Sequence, residues 1–258
     1  MARAISTIFL DVGATLVDPH PSFHDVVARI CTAHGFPVTA ADVERAEPQV
    51  WKRLREREAR GERYPLTRAE AERFWLDIYH WFLQALGAPE PGELPWRLYE
   101  EFLKLETWKL YPDALPTLHA LREQGYRLAV VSNWEDWLED LLISLEVSTL
   151  IEFAVVSGVE LVAKPDRRIY ERALERARVP AREVAHVGDS IENDILPATE
   201  VGITAVLLDR RGRLAGRYEP RITTLTELPD LLRSWDAAPR PRIPRPGLPA
   251  ARPEPTGS

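Results

Sequence analysis

The chain has 258 residues, 45% of them hydrophobic, and a net charge of -7, enough to bury a sizeable core in one large domain or two modest ones. The acidic balance, with Arg and Glu interleaved, argues against a nucleic-acid partner, and the lone cysteine, Cys31, excludes an internal disulfide framework. No run approaches ~20 apolar residues and no basic segment leads into an apolar one, so neither a membrane span nor a signal peptide is expected and a cytoplasmic protein is.

The first element is Ile5 to Leu10, whose Ile8, Phe9 and Leu10 suit a strand buried on both faces of a parallel sheet. Asp11 follows directly. Taken alone, Asp11 either opens a turn, with Gly13 supplying backbone freedom, or marks a ligand site at a strand's carboxyl end.

From about Pro21 to Trp108 the period is helical. Phe23, Val26, Val27, Ile30 and Cys31 form one face, closed by Gly35, with Cys31 as core packing. Thr39 with Asp42, and Thr67 with Glu70, are capping boxes for two further helices, punctuated by Gly61 and Gly87. Phe74, Trp75, Ile78, Trp81, Phe82 and Leu86 form an apolar stripe, and Leu98, Phe102, Leu103 and Leu105 mark a fourth helix. Trp51, Trp75, Trp81, Trp96 and Trp108 all fall here. Such aromatics either line a substrate pocket or glue the helices together, and packing is the reading taken.

After Tyr111-Pro112-Asp113, strands and helices alternate. Helices are expected over Leu115–Gln124, Trp137–Leu145, Ile169–Ala177 and Ile191–Val201. Strands are expected over Arg127–Val131, Phe153–Val156, Glu183–Val187 and Thr204–Leu208. The alternation predicts an α/β fold: a Rossmann-like, doubly wound parallel sheet core with an inserted all-helical cap domain. The expected bounds are 1–17 and 109–235 for the core, 18–108 for the cap, and 236–258 for a disordered Pro/Arg-rich tail, since that stretch has too few apolar side chains to offset ordering.

Asp11, Ser132, Lys164 and the pair Asp189 and Asp194 all sit at or just after predicted strand ends. In a doubly wound sheet those ends share one edge, so these residues converge on one crevice. Converging carboxylates repel unless a cation lies between them, and hard oxygen ligands select Mg²⁺. A lysine and a hydroxyl beside a divalent cation suit a phosphoryl dianion, so a small phosphorylated substrate is expected.

In this order, Asp11-Val12-Gly13-Ala14-Thr15, Val131-Ser132-Asn133, Lys164-Pro165-Asp166 and Gly188-Asp189-Ser190-Ile191-Glu192-Asn193-Asp194 resemble the four motifs of the haloacid dehalogenase-like hydrolase superfamily, over roughly residues 5–209. The resemblance implies that Asp11 is a nucleophile forming an aspartyl-phosphate, that Ser132 and Asn133 hold phosphoryl oxygens, and that Lys164 neutralises charge. It implies Mg²⁺ bound by Asp11, the Gly13 carbonyl and Asp189, with Asp194 acting through water or a hydrogen bond. The cap would then close over the site, exclude water and read the leaving group.

One position departs from that pattern. Most phosphatases of the superfamily carry a second Asp, the acid/base, two residues after the nucleophile, and this chain has Gly13 there. Positioned acid–base catalysis is worth ~10²–10⁴-fold, so slow turnover, a good leaving group or a substitute acid is expected. His20 and His24 are the nearest substitutes, though both read first as loop or helix-start residues. Lys52 offers a phosphonatase-type Schiff base, although it reads first as an exposed helical lysine. A metal-independent dehalogenase is opposed by Asp189 and Asp194, and a catalytically weak ligand-binding or regulatory member is favoured by Gly13.

Overall fold

The computed structural model describes residues 4–88 and 92–237. β1 (Thr7–Leu10) is buried along its whole length and leads into β2 (Val17–Pro19). Four helices follow: α1 (Phe23–Ala33), α2 (Ala40–Ala59), α3 (Arg68–Ala85) and α4 (Leu94–Phe102). The chain returns through β3 (Trp108–Leu110), which pairs antiparallel with β2. Both connections to the helical block therefore run through one two-stranded ribbon.

The alternating part then comprises α5 (Ala114–Glu123), β4 (Arg127–Ser132), α6 (Leu138–Ser144), β5 (Ala154–Val156) and α7 (Ser157–Glu160). It continues with α8 (Arg168–Ala177), β6 (Val184–Gly188), α9 (Leu196–Glu200), β7 (Thr204–Leu208), β8 (Arg221–Ile222) and α10 (Leu228–Ala237). The six-stranded sheet has the order β5-β4-β1-β6-β7-β8, and every neighbouring pair is parallel. The expected α/β class and doubly wound core are what the chain forms.

Strand alternation divides the core between two faces. Ile8 and Leu10 of β1, with Leu128 and Val130 of β4, pack with α5, α6 and α10. Phe9, Ala129 and Val131 point the other way, onto α8 and α9. The helical block has its own apolar cluster, in which Val26, Ile78, Phe82, Leu83 and Leu98 are buried. Thr39 and Thr67 close the expected capping boxes at the starts of α2 and α3, and Cys31 lies buried in this cluster.

Three features differ from the sequence expectations. The helix expected over Ile191–Val201 is split into a π-helical turn, Ile191–Ile195, and α9; the N–H groups of Asp194 and Ile195 both bond Ser190 O, and Pro197 has no N–H to continue a regular ladder. β8 and α10 follow β7; the first is too short to carry a period, and the second, preceded by the Thr224–Glu227 capping box, packs Leu228, Leu232 and Trp235 into the core. Of the expected tail, Asp236 lies within α10, where it accepts a hydrogen bond from the Ala4 N–H at 2.9 Å; residues 238–258 lie outside the described residues. Among the described residues no helix is long and apolar enough to cross a membrane.

Candidate active site

Parallel register puts the ends of β1, β4 and β6 side by side, with Leu10 beside both Val130 and Val187. Asp11 therefore emerges between Ser132 and the turn after Gly188. Its N–H is held by Val187 O at 2.9 Å. The chain then folds sharply: Val12 O accepts from the N–H groups of Thr15, Leu16 and Val17, with Ala14 at φ 56. That turn holds Gly13 beside Asp11 and starts the ribbon to the helical block.

Lys164 comes from the loop after α7 and Asp194 from the π-helical turn after β6, both along the same edge. Lys164 Nζ lies 2.6 Å from Asp11 Oδ1 and 2.6 Å from Asp194 Oδ1, while Ser132 Oγ donates to Asp11 Oδ1 at 3.1 Å. Lys164 is positioned by Asn133, whose amide accepts from the Lys164 N–H at 2.7 Å and donates to the Lys164 carbonyl at 2.9 Å. The Asn133 side chain is thus engaged with the lysine backbone rather than free to meet a ligand. Asp194 Oδ2 accepts from the Ser190 N–H at 3.0 Å. Gly188 is required by contact, because a Cβ there would collide with the Asp194 carboxyl group.

Asp11, Asp189 and Asp194 each offer an oxygen within 4.8 Å of the others. With all three ionised, three carboxylates face one ammonium, an excess of two negative charges. Burial pushes the Asp189 carboxyl well above its ordinary value, and the charges of Asp11 and Asp194 push it further. Burial and Asp194 likewise raise Asp11, against the pull of Lys164. For Asp194 burial is outweighed by Lys164 and His186, which hold it well below the usual carboxylate range. For Lys164, too, the two carboxylates outweigh burial, so the ammonium is stabilised. Asp189, half-buried, is the carboxylate that this network leaves without an ion-pair partner among the described residues, and carboxylates crowded together in this way call for a cation.

Three side chains at the site were not singled out from the sequence. His186 in β6 is fully buried, its Nε2 at 3.1 Å from Asp194 Oδ1 and 3.1 Å from the Tyr170 hydroxyl. Tyr170 in α8 donates to Asn193 O at 3.1 Å. Nδ1 of His186 has no partner among the described residues, so the hydrogen belongs on Nε2, shared between Asp194 and the Tyr170 oxygen. A histidine inside a strand buried on both faces was the available signal, since such a group needs partners. The third is Tyr64, from the loop between α2 and α3, whose hydroxyl donates to Asn133 O at 3.4 Å.

The remaining candidates make other contacts or face solvent. His24 faces Glu47 of α2 at 3.4 Å and His20 is exposed. Lys52 is 73% exposed in its side chain, with its ammonium 3.9 Å from Glu56; it lacks the apolar burial that activates an amine nucleophile. Trp134 stands beside Gly13, in ordinary contact with the place a Cβ would take, at 3.4 Å. The tryptophans serve packing: Trp51, Trp75, Trp81 and Trp108 border the cluster of the helical block, and Trp108 meets Trp134 at 4.7 Å. Trp96 is the exception, 40% exposed.

Residues 5–202 match the family model described as haloacid dehalogenase-like hydrolase. The chain is 33% identical over 205 residues to the haloacid dehalogenase-like hydrolase domain-containing protein 3 of Mus musculus, covering 77% of this chain and 79% of the mouse protein. It is 35% identical over 116 residues to the glyceraldehyde 3-phosphate phosphatase of Methanopyrus kandleri, covering 44% of this chain and 48% of that protein. Its fold resembles that of the putative HAD-hydrolase YfnB from Bacillus subtilis, a crystal structure bound to magnesium, with a TM-score of 0.69 at 21% identity, over 90% of this chain and 99% of the other.

Proposed function

The chain belongs to the haloacid dehalogenase-like hydrolase family, and from that premise we propose that it is a Mg²⁺-dependent phosphohydrolase of a small phosphorylated metabolite, working through an aspartyl-phosphate on Asp11. The observation that carries the reading is the meeting of Asp11, Asp189, Asp194 and Lys164 at one edge of the sheet. Phosphatase relatives such as the Methanopyrus kandleri protein support the same chemistry.

The donor set fits a hard dication. The excess of two negative charges is what Mg²⁺ neutralises, and two oxygens on one Mg²⁺ sit about 3–4 Å apart, so a spread of 4.8 Å closes with small side-chain shifts. Asp11, Asp189 and the Gly13 carbonyl would hold the ion, with Asp194 behind them. When bound, Mg²⁺ supplies charge neutralisation for a phosphoryl dianion and draws Asp189 into its ionised form.

The protein's own groups do the rest. Asp11 Oδ2, the oxygen not bonded to Lys164 or Ser132, attacks phosphorus. Lys164, locked on Asp11 Oδ1, orients the nucleophile and neutralises charge on the transferring group, and Ser132 Oγ with the Asn133 N–H holds phosphoryl oxygens. Covalent catalysis splits one hard displacement into two easier ones. The helical block acts as a cap, hinged on the β2–β3 ribbon, that excludes water during transfer.

Gly13 removes the acid/base carboxyl expected two residues after the nucleophile, so turnover is slow on esters of poor leaving groups. The test is Mg²⁺-dependent release of phosphate from p-nitrophenyl phosphate, whose leaving group scarcely needs protonation. Asp11→Asn should abolish it; a variant as active as the wild type would contradict the assignment.

A further inference from the structure

Within the phosphohydrolase reading just given, we propose that Tyr64 is a catalytic residue, the hydroxyl that gives its proton to the leaving-group oxygen and recovers one from the hydrolytic water. Departure of an alcohol from phosphorus leaves negative charge on oxygen, and a positioned donor lowers that barrier. The sheet edge is poor in such donors. Position 13 has no side chain, Lys164 is bonded to two carboxylates, Ser132 donates to Asp11 and His24 faces Glu47.

Tyr64 enters from the opposite side. The loop joining α2 to α3 carries it across to Asn133 O at 3.4 Å, one residue beyond the Ser132 that touches Asp11. A main-chain carbonyl only accepts, so the Tyr64 hydrogen lies on its core-facing side. At 3.4 Å the bond is long for an O–H donor, and moving the hydrogen to a better acceptor gives up little. The ring is steadied by Phe74 of α3, 5.5 Å away, and followed by the buried Pro65. Burial, with the charges of Glu135 and Asp11 nearby, pushes the phenol up, so it stays protonated until a stronger base, such as a departing alkoxide, forms beside it.

The step balances. The Asp11 carboxylate oxygen forms a bond to phosphorus as the bond from phosphorus to the leaving oxygen breaks; that oxygen keeps the electron pair and takes the Tyr64 proton, leaving as alcohol. The phenolate then removes a proton from water, the resulting hydroxide attacks phosphorus, and the Asp11–phosphorus bond breaks to return the carboxylate. Tyr64 ends protonated, and the net change is ester plus water to alcohol plus phosphate.

The experiment compares kcat/KM of the wild type and Tyr64→Phe on p-nitrophenyl phosphate and benzyl phosphate, two esters of similar shape of which only the second leaves as an alkoxide more basic than the Tyr64 phenolate. The variant should lose at least about tenfold more on benzyl phosphate than on p-nitrophenyl phosphate. Equal losses on both esters, the result of a packing role against Phe74, or no loss on either, would overturn the assignment of Tyr64 while leaving the phosphohydrolase intact. A wild type inactive on both esters with Mg²⁺ present would overturn both together.

Discussion

The carboxyl edge of the sheet and the helical block are stabilised by opposite means. At the edge, buried charges are held by short polar contacts, with Lys164 shared between Asp11 and Asp194. In the block, aromatic rings carry the packing: Phe82 is fully buried between Phe23 at 5.2 Å and Trp51 at 6.0 Å, and the ion pairs, such as that of Arg57 with Asp77, lie toward the surface. Charge taken out of water costs free energy unless it is fully paired, so the edge is arranged for chemistry at the expense of stability. The block buries Glu101 of α4, paired with both Arg29 and Lys104, and otherwise contributes packing, shape and, through Tyr64, a hydroxyl.

The contrast breaks most severely at Lys164. Replacing it by Met strands the carboxylates of Asp11 and Asp194, and removing one partner of a buried pair costs about 3–5 kcal/mol. Loss of a charge at the transferring phosphoryl group also removes ~10²–10³-fold of activity. Denaturant unfolding and phosphate release should show both losses in the one variant.

Phe82→Ala attacks the other region. A buried Phe replaced by Ala costs about 3–5 kcal/mol, so urea unfolding should move by that amount, while Mg²⁺ binding at the sheet edge, measured by calorimetry on the folded protein, should be retained. Loss of Mg²⁺ binding in step with stability would show that the two regions are one energetic unit.

Gly13→Asp tests the edge by gain. The added Cβ meets Trp134 at 3.4 Å, an ordinary contact, and a carboxyl at that position supplies an acid/base group. Turnover of phenyl phosphate should rise by roughly 10²-fold, and an unchanged rate would remove Gly13 as the cause of slow turnover.

The smallest effect sits where the two regions meet. Glu135, in the loop after β4, is only 9% exposed, and burial raises its carboxyl above the ordinary value despite the Trp137 N–H and Arg68. A carboxyl raised on folding contributes stability below its unfolded pKa and loses it as pH rises through the folded value. Glu135→Gln should therefore be more stable than the wild type at neutral pH, and the difference should vanish as pH falls below the ordinary glutamate range. A gain that persisted at acid pH would point to packing instead.

The same contrast explains what was legible in the sequence. Asp11, Ser132, Lys164, Asp189 and Asp194 each follow a strand, and parallel register alone carries strand ends to one edge, so their meeting is readable from strand order and spacing. His186 and Tyr170 could not be paired that way, because their contact depends on how α8 is turned against β6. Tyr64 lies in a loop with no period at all, and its reach to Asn133 is set by how the helices pack. The split of the last expected helix at Asp194 was hidden too: the sequence has a helical period there, and only the bonding of two N–H groups to Ser190 O widens the turn.

The most direct measurement is a crystal structure of the protein with Mn²⁺, which shares the carboxylate and carbonyl preferences of Mg²⁺, located by its anomalous signal. One peak is expected at the sheet edge, bonded at roughly 2 Å to Asp11, Asp189 and the Gly13 carbonyl, and absent in Asp189→Asn. A peak bound elsewhere, or a sheet edge that stays empty at saturating Mn²⁺ with Lys164 still bridging the carboxylates, would contradict the shared-cation site.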